Sequence, residues 1–453
     1  MEFSTSVKIL DQSLISPPPL SACESRPSLP LNFFDMLWLN YSPVERLFFY
    51  QFSDSSSHFI DFHLPNLKFA LSATLSTFYP LAATIRRSRS DGRFEIAPAH
   101  TDSVPLTVTE YAGNPADFLD ISGDHSRPVE KLLPLVPRLP MSRDAQPLLA
   151  LQVTLFPYFG LCVSLAVHHS ACDGFSSMQF VKLWSATAAS SFRPDDLVPQ
   201  LPAPVMDRTV IPDPRNLYLQ MEKAVLDVRV NEKMITSGIS GGVYAATFTL
   251  SAPEISRLKK EAQKKAEEQG IPCFHCSSFV VSCAYSWICL LKTRHKTDGE
   301  GKAHFVFAVD WRRRIQPPFP ETSFGTCLSG CFVKWDAEEL LAKDGILAAC
   351  AAIGKAIEEL GDAHESMDGV MDKLGEIAPW RPLSLAGSPK MGVYGTDFGW
   401  GKPRKVEVIS TRETGAIAMA ESRNGDGGIE VGVILPEDNL KAFADYFAGG
   451  MDR

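Results

Sequence analysis

The sequence predicts a mixed α/β protein built from two halves of similar size, and three features carry that expectation. Stretches with apolar residues at helical spacing alternate with strand-like stretches along the whole chain. The alternation is too irregular for a doubly wound fold, which points to mixed sheets. The stretch from Phe192 to Leu217 holds Pro194, Pro199, Pro202, Pro204, Pro212 and Pro214 and few apolar pairs, the composition of an extended crossover. It divides the chain into an N-terminal domain (1–191), a crossover (192–217) and a C-terminal domain (218–453), each domain of ordinary length.

The elements follow from local signals. Pro65 suits a first helical turn, and Leu67, Leu71, Leu75 and Phe78 follow at helical spacing until Tyr79 meets Pro80. Leu149, Leu151, Val153 and Leu155 alternate with more polar neighbours, as do Leu161, Val163, Leu165 and Val167. This is the pattern of half-buried strands, Leu149 to Phe156 and Gly160 to His168, joined by a turn at Pro157-Tyr-Phe-Gly160. A helix from about Ser176 to Ala189 follows them. Ser251-Ala-Pro-Glu254 has the form of a capping box opening a charged helix that ends near Gly270. Leu340 to Leu360 reads as a second long helix, with further strands at Ala303 to Val309 and Ile429 to Leu435.

Composition narrows the function. With 453 residues, 45% of them hydrophobic, the chain can bury a large core. A net charge of -9 argues against a broad nucleic-acid-binding face, so an anionic ligand has to be met by local cations. Ten cysteines are scattered through apolar stretches, which suits reduced, buried thiols. Cys273-Phe-His-Cys276 has no second pair at zinc-site spacing, so no metal is expected. Met1 to Pro19 lacks the basic start and apolar block of a signal peptide, and a cytoplasmic monomer is expected. The apolar run Phe279 to Leu291 falls short of the roughly 20 residues of a membrane span. Asn40-Tyr-Ser42 fits a glycosylation sequon but has no secretory context.

The segment with the most chemistry is His168-His169-Ser-Ala-Cys-Asp173-Gly174, at the end of the second strand. Successive strand residues point to opposite sides, so His168 and His169 do not share a cavity. An imidazole with a pKa of about 6.5 is well matched to taking and returning a proton near neutrality. Asp173 is placed to fix the loop or pair with a cation, and Gly174 allows a tight turn. Alone, this pattern is more often a buried histidine at a strand end with a capping aspartate. A second segment raises its weight: Tyr394-Gly-Thr396-Asp397-Phe-Gly399-Trp400-Gly401-Lys402-Pro403, where the rings pack a tight turn and the acid suits an ion pair.

Together the two segments resemble the BAHD family of plant acyltransferases. Leu31-Asn-Phe-Phe-Asp35 with Trp38, Arg46-Leu-Phe-Phe-Tyr50, Tyr79-Pro-Leu-Ala82 and Phe279 to Trp287 look like further family landmarks. The resemblance implies two chloramphenicol-acetyltransferase-like domains with a solvent channel between them. It implies acyl-CoA as co-substrate, no permanently bound cofactor, His169 as general base and no covalent acyl-enzyme. Cys172 is then a spacer. Asp173 and Gly174 would support the site, with Arg312 or Arg314 as the partner of Asp173, and Asp397, Gly399, Trp400 and Gly401 would form a structural loop. Gly387, Ser388, Lys390, Lys402, Arg404 and Lys405 are candidate CoA neighbours, and Phe34, Trp38, Phe175 and Thr396 candidate walls of the acyl and acceptor pocket.

Asp310-Trp-Arg312-Arg-Arg314 and Ser323-Phe-Gly-Thr-Cys327 resemble a block of members that acylate flavonoid, anthocyanin or other phenolic glycosides, although Ser323 and Thr326 replace the usual tyrosine and asparagine. A sugar hydroxyl of such a glycoside is the implied acceptor. Phe175 stands where malonyl-using relatives often carry lysine, which tips the donor slightly towards hydroxycinnamoyl-CoA over malonyl-CoA. The alternatives are a malonyltransferase, a condensation-domain-like enzyme sharing HHxxxDG, and a glycoside-binding protein without catalysis.

Overall fold

The computed structural model describes residues 7–20, 25–139, 146–191, 202–208, 211–228, 242–272, 274–294, 297 and 299–449. Among these, one sheet runs in the order Val7–Ile15, Val104–Tyr111, Leu149–Phe156, Gly160–Val167, Val44–Tyr50, Lys405–Val408. A second runs Leu328–Asp336, Lys302–Asp310, Leu383–Gly387, Ile417–Glu421, Ile429–Pro436, Val243–Leu250, Arg127–Pro128. A small four-stranded sheet lies apart. Parallel and antiparallel pairs mix in both large sheets, as expected of a mixed α/β protein.

The two halves exchange strands. Lys405–Val408 from the second half closes the edge of the first sheet against Val44–Tyr50, and Arg127–Pro128 from the first half closes the second sheet against Val243–Leu250. A buried, bidentate ion pair, Arg127 Nη1 and Nη2 to Glu407 at 3.0 and 2.9 Å, fastens one exchanged strand to the other.

The hairpin Leu149–Phe156 and Gly160–Val167 pairs in register, Leu149 with Val167 and Leu155 with Leu161. Its strands are buried on both faces, not half-buried as the alternation suggests. Leu149, Leu151, Val153 and Leu155 enter the main core. Behind them, Gln152 Nε2 donates to the Pro134 carbonyl at 2.9 Å and Ser164 Oγ to the Leu135 carbonyl at 2.5 Å. Polar side chains facing a covering segment's carbonyls need no water.

Helices form at Leu64–Thr77 and at Ala252–Glu268 behind its Ser251 capping box. The expected long helix from Leu340 is instead two, Ala337–Leu341 and Gly345–Glu358. The chain doubles back so closely between them that a β-carbon on Gly345 would lie 2.0 Å from the Leu340 carbonyl oxygen. The apolar stretch Phe279 to Leu291 lies in the helix Ser278–Arg294, and no helix among the described residues is long and apolar enough to cross a membrane.

Much of the expected crossover, 192–201 and 209–210, lies outside the described residues, as does Cys273. Cys162, Cys172, Cys276, Cys283, Cys289, Cys327, Cys331 and Cys350 are buried free thiols. Within the crossover, Val205 bridges to Ser323. The sequon residue Asn40 is engaged, its Nδ2 donating to the Val225 carbonyl at 2.7 Å.

Candidate active site

The strand ends at Val167, and the next two residues part company. His168 is fully buried; its Nδ1 accepts from the Ser170 amide at 3.2 Å, so the proton sits on Nε2, which donates to Gln146 Oε1 at 2.6 Å. His169 is half-buried, with its ring stacked on Trp38 at 3.9 Å between centroids and 11° between planes. Its Nδ1 is enclosed and has no hydrogen-bond partner among the described residues. Burial lowers its pKa below that of an ordinary histidine, with its own backbone and the Asp173 charge acting the other way. At pH 7 this imidazole is neutral.

Asp173 turns from the strand end into the helix Gly174–Ser190. Its Oδ1 accepts from the Ser176 amide at 2.9 Å as the N-cap, which starts the helix two residues earlier than the sequence suggests. Its Oδ2 accepts from Arg312 Nη1 at 2.7 Å, both groups buried. Arg312 also donates to Asp310 Oδ1, Ser176 Oγ and the Ser323 and Gly325 carbonyls. Arg314, the other sequence candidate, is exposed. Gly174 has no left-handed backbone requirement and lies against Met391, whose Cε would be 2.4 Å from a β-carbon there. Burial pushes the Cys172 thiol up, so it offers no thiolate near neutrality.

The Asp397–Gly401 loop folds on its own acid, whose Oδ1 accepts from the Gly399 and Gly401 amides at 2.7 and 2.9 Å. Both glycines have positive φ, 101° and 89°. Phe398 meets Trp184 of the Gly174–Ser190 helix edge-on at 4.9 Å, and Trp400 Nε1 donates to His63 Nδ1 at 3.1 Å.

Several expected site residues sit elsewhere than supposed. Phe34 and Thr396 have no exposed surface and therefore line no open pocket; Phe34 packs on Phe33, and the Thr396 hydroxyl lies between Tyr50 Oη at 2.8 Å and the Val393 carbonyl. Phe175 is half-buried, its ring 5.7 Å from the Arg312 guanidinium. Lys405 is buried in its strand with Nζ on Asp124 Oδ1 at 2.7 Å, so it cannot meet a phosphate. Lys390, Lys402 and Arg404 are exposed, and Ser388 Oγ accepts from the Lys390 amide. Gly387 has φ 76° and lies against the Met419 carbonyl.

Sequence reasoning missed two residues. Asp35, wholly buried, accepts at Oδ2 from Arg208 Nη1 at 2.6 Å and the Asn32 amide at 2.9 Å, and at Oδ1 from the Thr326 amide at 3.2 Å. Burial pushes its carboxyl up to about 6 against Arg208 and those two amides. Arg208 Nη2 donates to the Ala171 carbonyl at 3.1 Å, and Thr326 Oγ1 to the His169 carbonyl at 2.7 Å. An acid beside two phenylalanines was a visible signal for Asp35; Arg208, in the proline-rich stretch, carried none.

Comparison with known proteins places the chain in a family. The family model described as the Transferase family matches residues 5–448. Phenolic glucoside malonyltransferase 1 of Arabidopsis thaliana is 34% identical, covering 100% of this chain and 99% of its own. Coumaroyl-CoA:anthocyanidin 3-O-glucoside-6''-O-coumaroyltransferase 2 of the same plant is 31% identical, covering 98% and 97%. The crystal structure of vinorine synthase shares the fold at 20% identity, with a TM-score of 0.72 over 98% of each chain. The chain belongs to the Transferase family and is a BAHD acyl-CoA-dependent acyltransferase.

Proposed function

We propose that this enzyme moves an acyl group from acyl-CoA to a sugar hydroxyl of a phenolic glycoside, with His169 as general base. The observation that carries this reading is an imidazole held flat against Trp38, beside an aspartate engaged by Arg312; burial lowers the ring's pKa and so favours its neutral form. The enclosed Nδ1 leaves Nε2 as the nitrogen for substrate. In the proposed step it takes the hydroxyl proton as the oxygen attacks the thioester carbonyl; the C–S bond breaks, and the imidazolium returns the proton to the CoA thiolate. The products are an ester and free CoA. The printed names of the relatives support a glycoside acceptor. Nothing in the geometry favours a carrier-bound donor or a merely binding protein.

A pH profile tests the base. Because burial lowers the His169 pKa from 6.5, kcat/KM should be at its plateau at pH 7 and fall as acid protonates the ring, with the midpoint below 6.5. A midpoint above 7 would contradict the assignment.

The donor is the finer question, and malonyl-CoA is the reading we favour. A malonyl carboxylate inside protein needs a cation. Phe175 supplies no cation next to Gly174 in sequence. In three dimensions a buried arginine lies beside Gly174: Arg46 Nη2 is 4.0 Å from where a Gly174 β-carbon would be and 3.9 Å from Met391 Sδ, the Glu421 charge acts on it, and its Nε has no hydrogen-bond partner among the described residues. The half-buried rings of Trp38 and Phe175 support a hydroxycinnamoyl donor as the second reading. Offered both CoA thioesters with one phenolic glucoside, the enzyme should show at least about tenfold higher kcat/KM for malonyl-CoA, and Arg46→Met should abolish that preference. A wild-type preference for coumaroyl-CoA would reverse the assignment.

A further inference from the structure

We propose that Thr326 and Asp35 are positioning residues for the reaction, joined in one clamp that fixes His169 from the side opposite its substrate. The proposal rests on the reading of His169 as base and adds what holds it in place.

Gln146 and Arg312 hold the two ends of the 168–173 loop; its middle, residues 169–171, is touched by Trp38, Thr326 and Arg208, and each of these three is tied to Asp35. Trp38 lies on the His169 ring, and its amide donates to the Asp35 carbonyl at 3.1 Å at the end of the helix Phe33–Leu37. The Thr326 hydroxyl holds the His169 carbonyl while the Thr326 amide donates to Asp35 Oδ1. Arg208 holds the Ala171 carbonyl while its other nitrogen binds Asp35 Oδ2. The backbone of His169 and the backbone two residues on are therefore referred to one buried carboxylate, and the ring, through Trp38, to the main chain of Asp35 itself.

The three arms come from distant parts of the chain: the first helix, the crossover and the 323–327 segment. Gly325 completes the arrangement. With φ 132° it lies against the Arg208 guanidinium, where a β-carbon would come to 2.9 Å of Nη2, and its carbonyl accepts from the Asp173 amide at 3.2 Å. A base displaced by a fraction of an ångström loses much of the advantage of a fixed attack geometry. Thr326 is the arm that can be cut most cleanly, because valine keeps its shape and its backbone amide and removes the hydroxyl alone.

The experiment compares Thr326→Val, Thr326→Ser and His169→Ala with wild type, measuring kcat, both KM values and thermal unfolding. Thr326→Val should lower kcat by about tenfold, with both KM values within about twofold of wild type, and Thr326→Ser should recover most of the loss. Asp35→Asn should lower kcat by at least as much, but it leaves Arg208 buried without its charge partner, so the threonine variants keep the test decisive if that protein fails to fold. The clamp is overturned if Thr326→Val keeps wild-type kcat, or if serine rescues no better than valine. A His169→Ala enzyme working within about tenfold of wild type would instead defeat the base assignment, whatever the threonine variants do.

Discussion

His169→Ala is expected to lower kcat by roughly 10²–10⁴-fold, the span that a positioned general base contributes. The ring's Nδ1 has no hydrogen-bond partner among the described residues, and on removal of the ring Asp173 keeps its Arg312 partner. KM for both substrates should therefore change little, and the thermal transition should stay close to that of wild type. That split separates loss of chemistry from loss of fold, and His168 provides the contrast. His168→Ala would leave Gln146 and the Ser170 amide without their partner inside the core, so stability should suffer first. An alanine enzyme at position 169 working within about tenfold of wild type would remove the chemical basis of the proposal.

Arg312→Met should produce the largest loss of stability, about 3–5 kcal/mol, because it strands the Asp173 carboxylate in a site closed to water. It would also leave the Ser323 and Gly325 carbonyls short of a donor. Equilibrium unfolding in urea, with wild type alongside, measures the cost. Pairing the change with Asp173→Asn, which removes the stranded charge, should return part of it. A single variant as stable as wild type would mean that the pair contributes nothing and that the loop is held by its amides alone.

Much of this was legible locally. The hairpin, its turn and the helix after it follow from residue spacing, and the position of Asp173 four residues past His169 raises a pairing with a cation, for which the 310–314 block offers Arg312 and Arg314. What the sequence hid depends on contacts between residues far apart in the chain. Lys405 reads as a surface cation until Asp124 is found against it. The break before Gly345 follows from the approach of a single carbonyl, which no periodicity reports. Thr326 registered only as a departure from a familiar pattern, because the carbonyl it binds belongs to a residue 157 positions away. The donor preference read from Phe175 was drawn along the chain, whereas Arg46 approaches Gly174 across the sheet from another strand.

The traded edges also bear on how such a protein can change over time. Neither portion is a self-sufficient module, since each would present an unfinished border and half of a salt link if made by itself. Swapping one portion between homologues would therefore test two seams at once, the borrowed ribbon and its host.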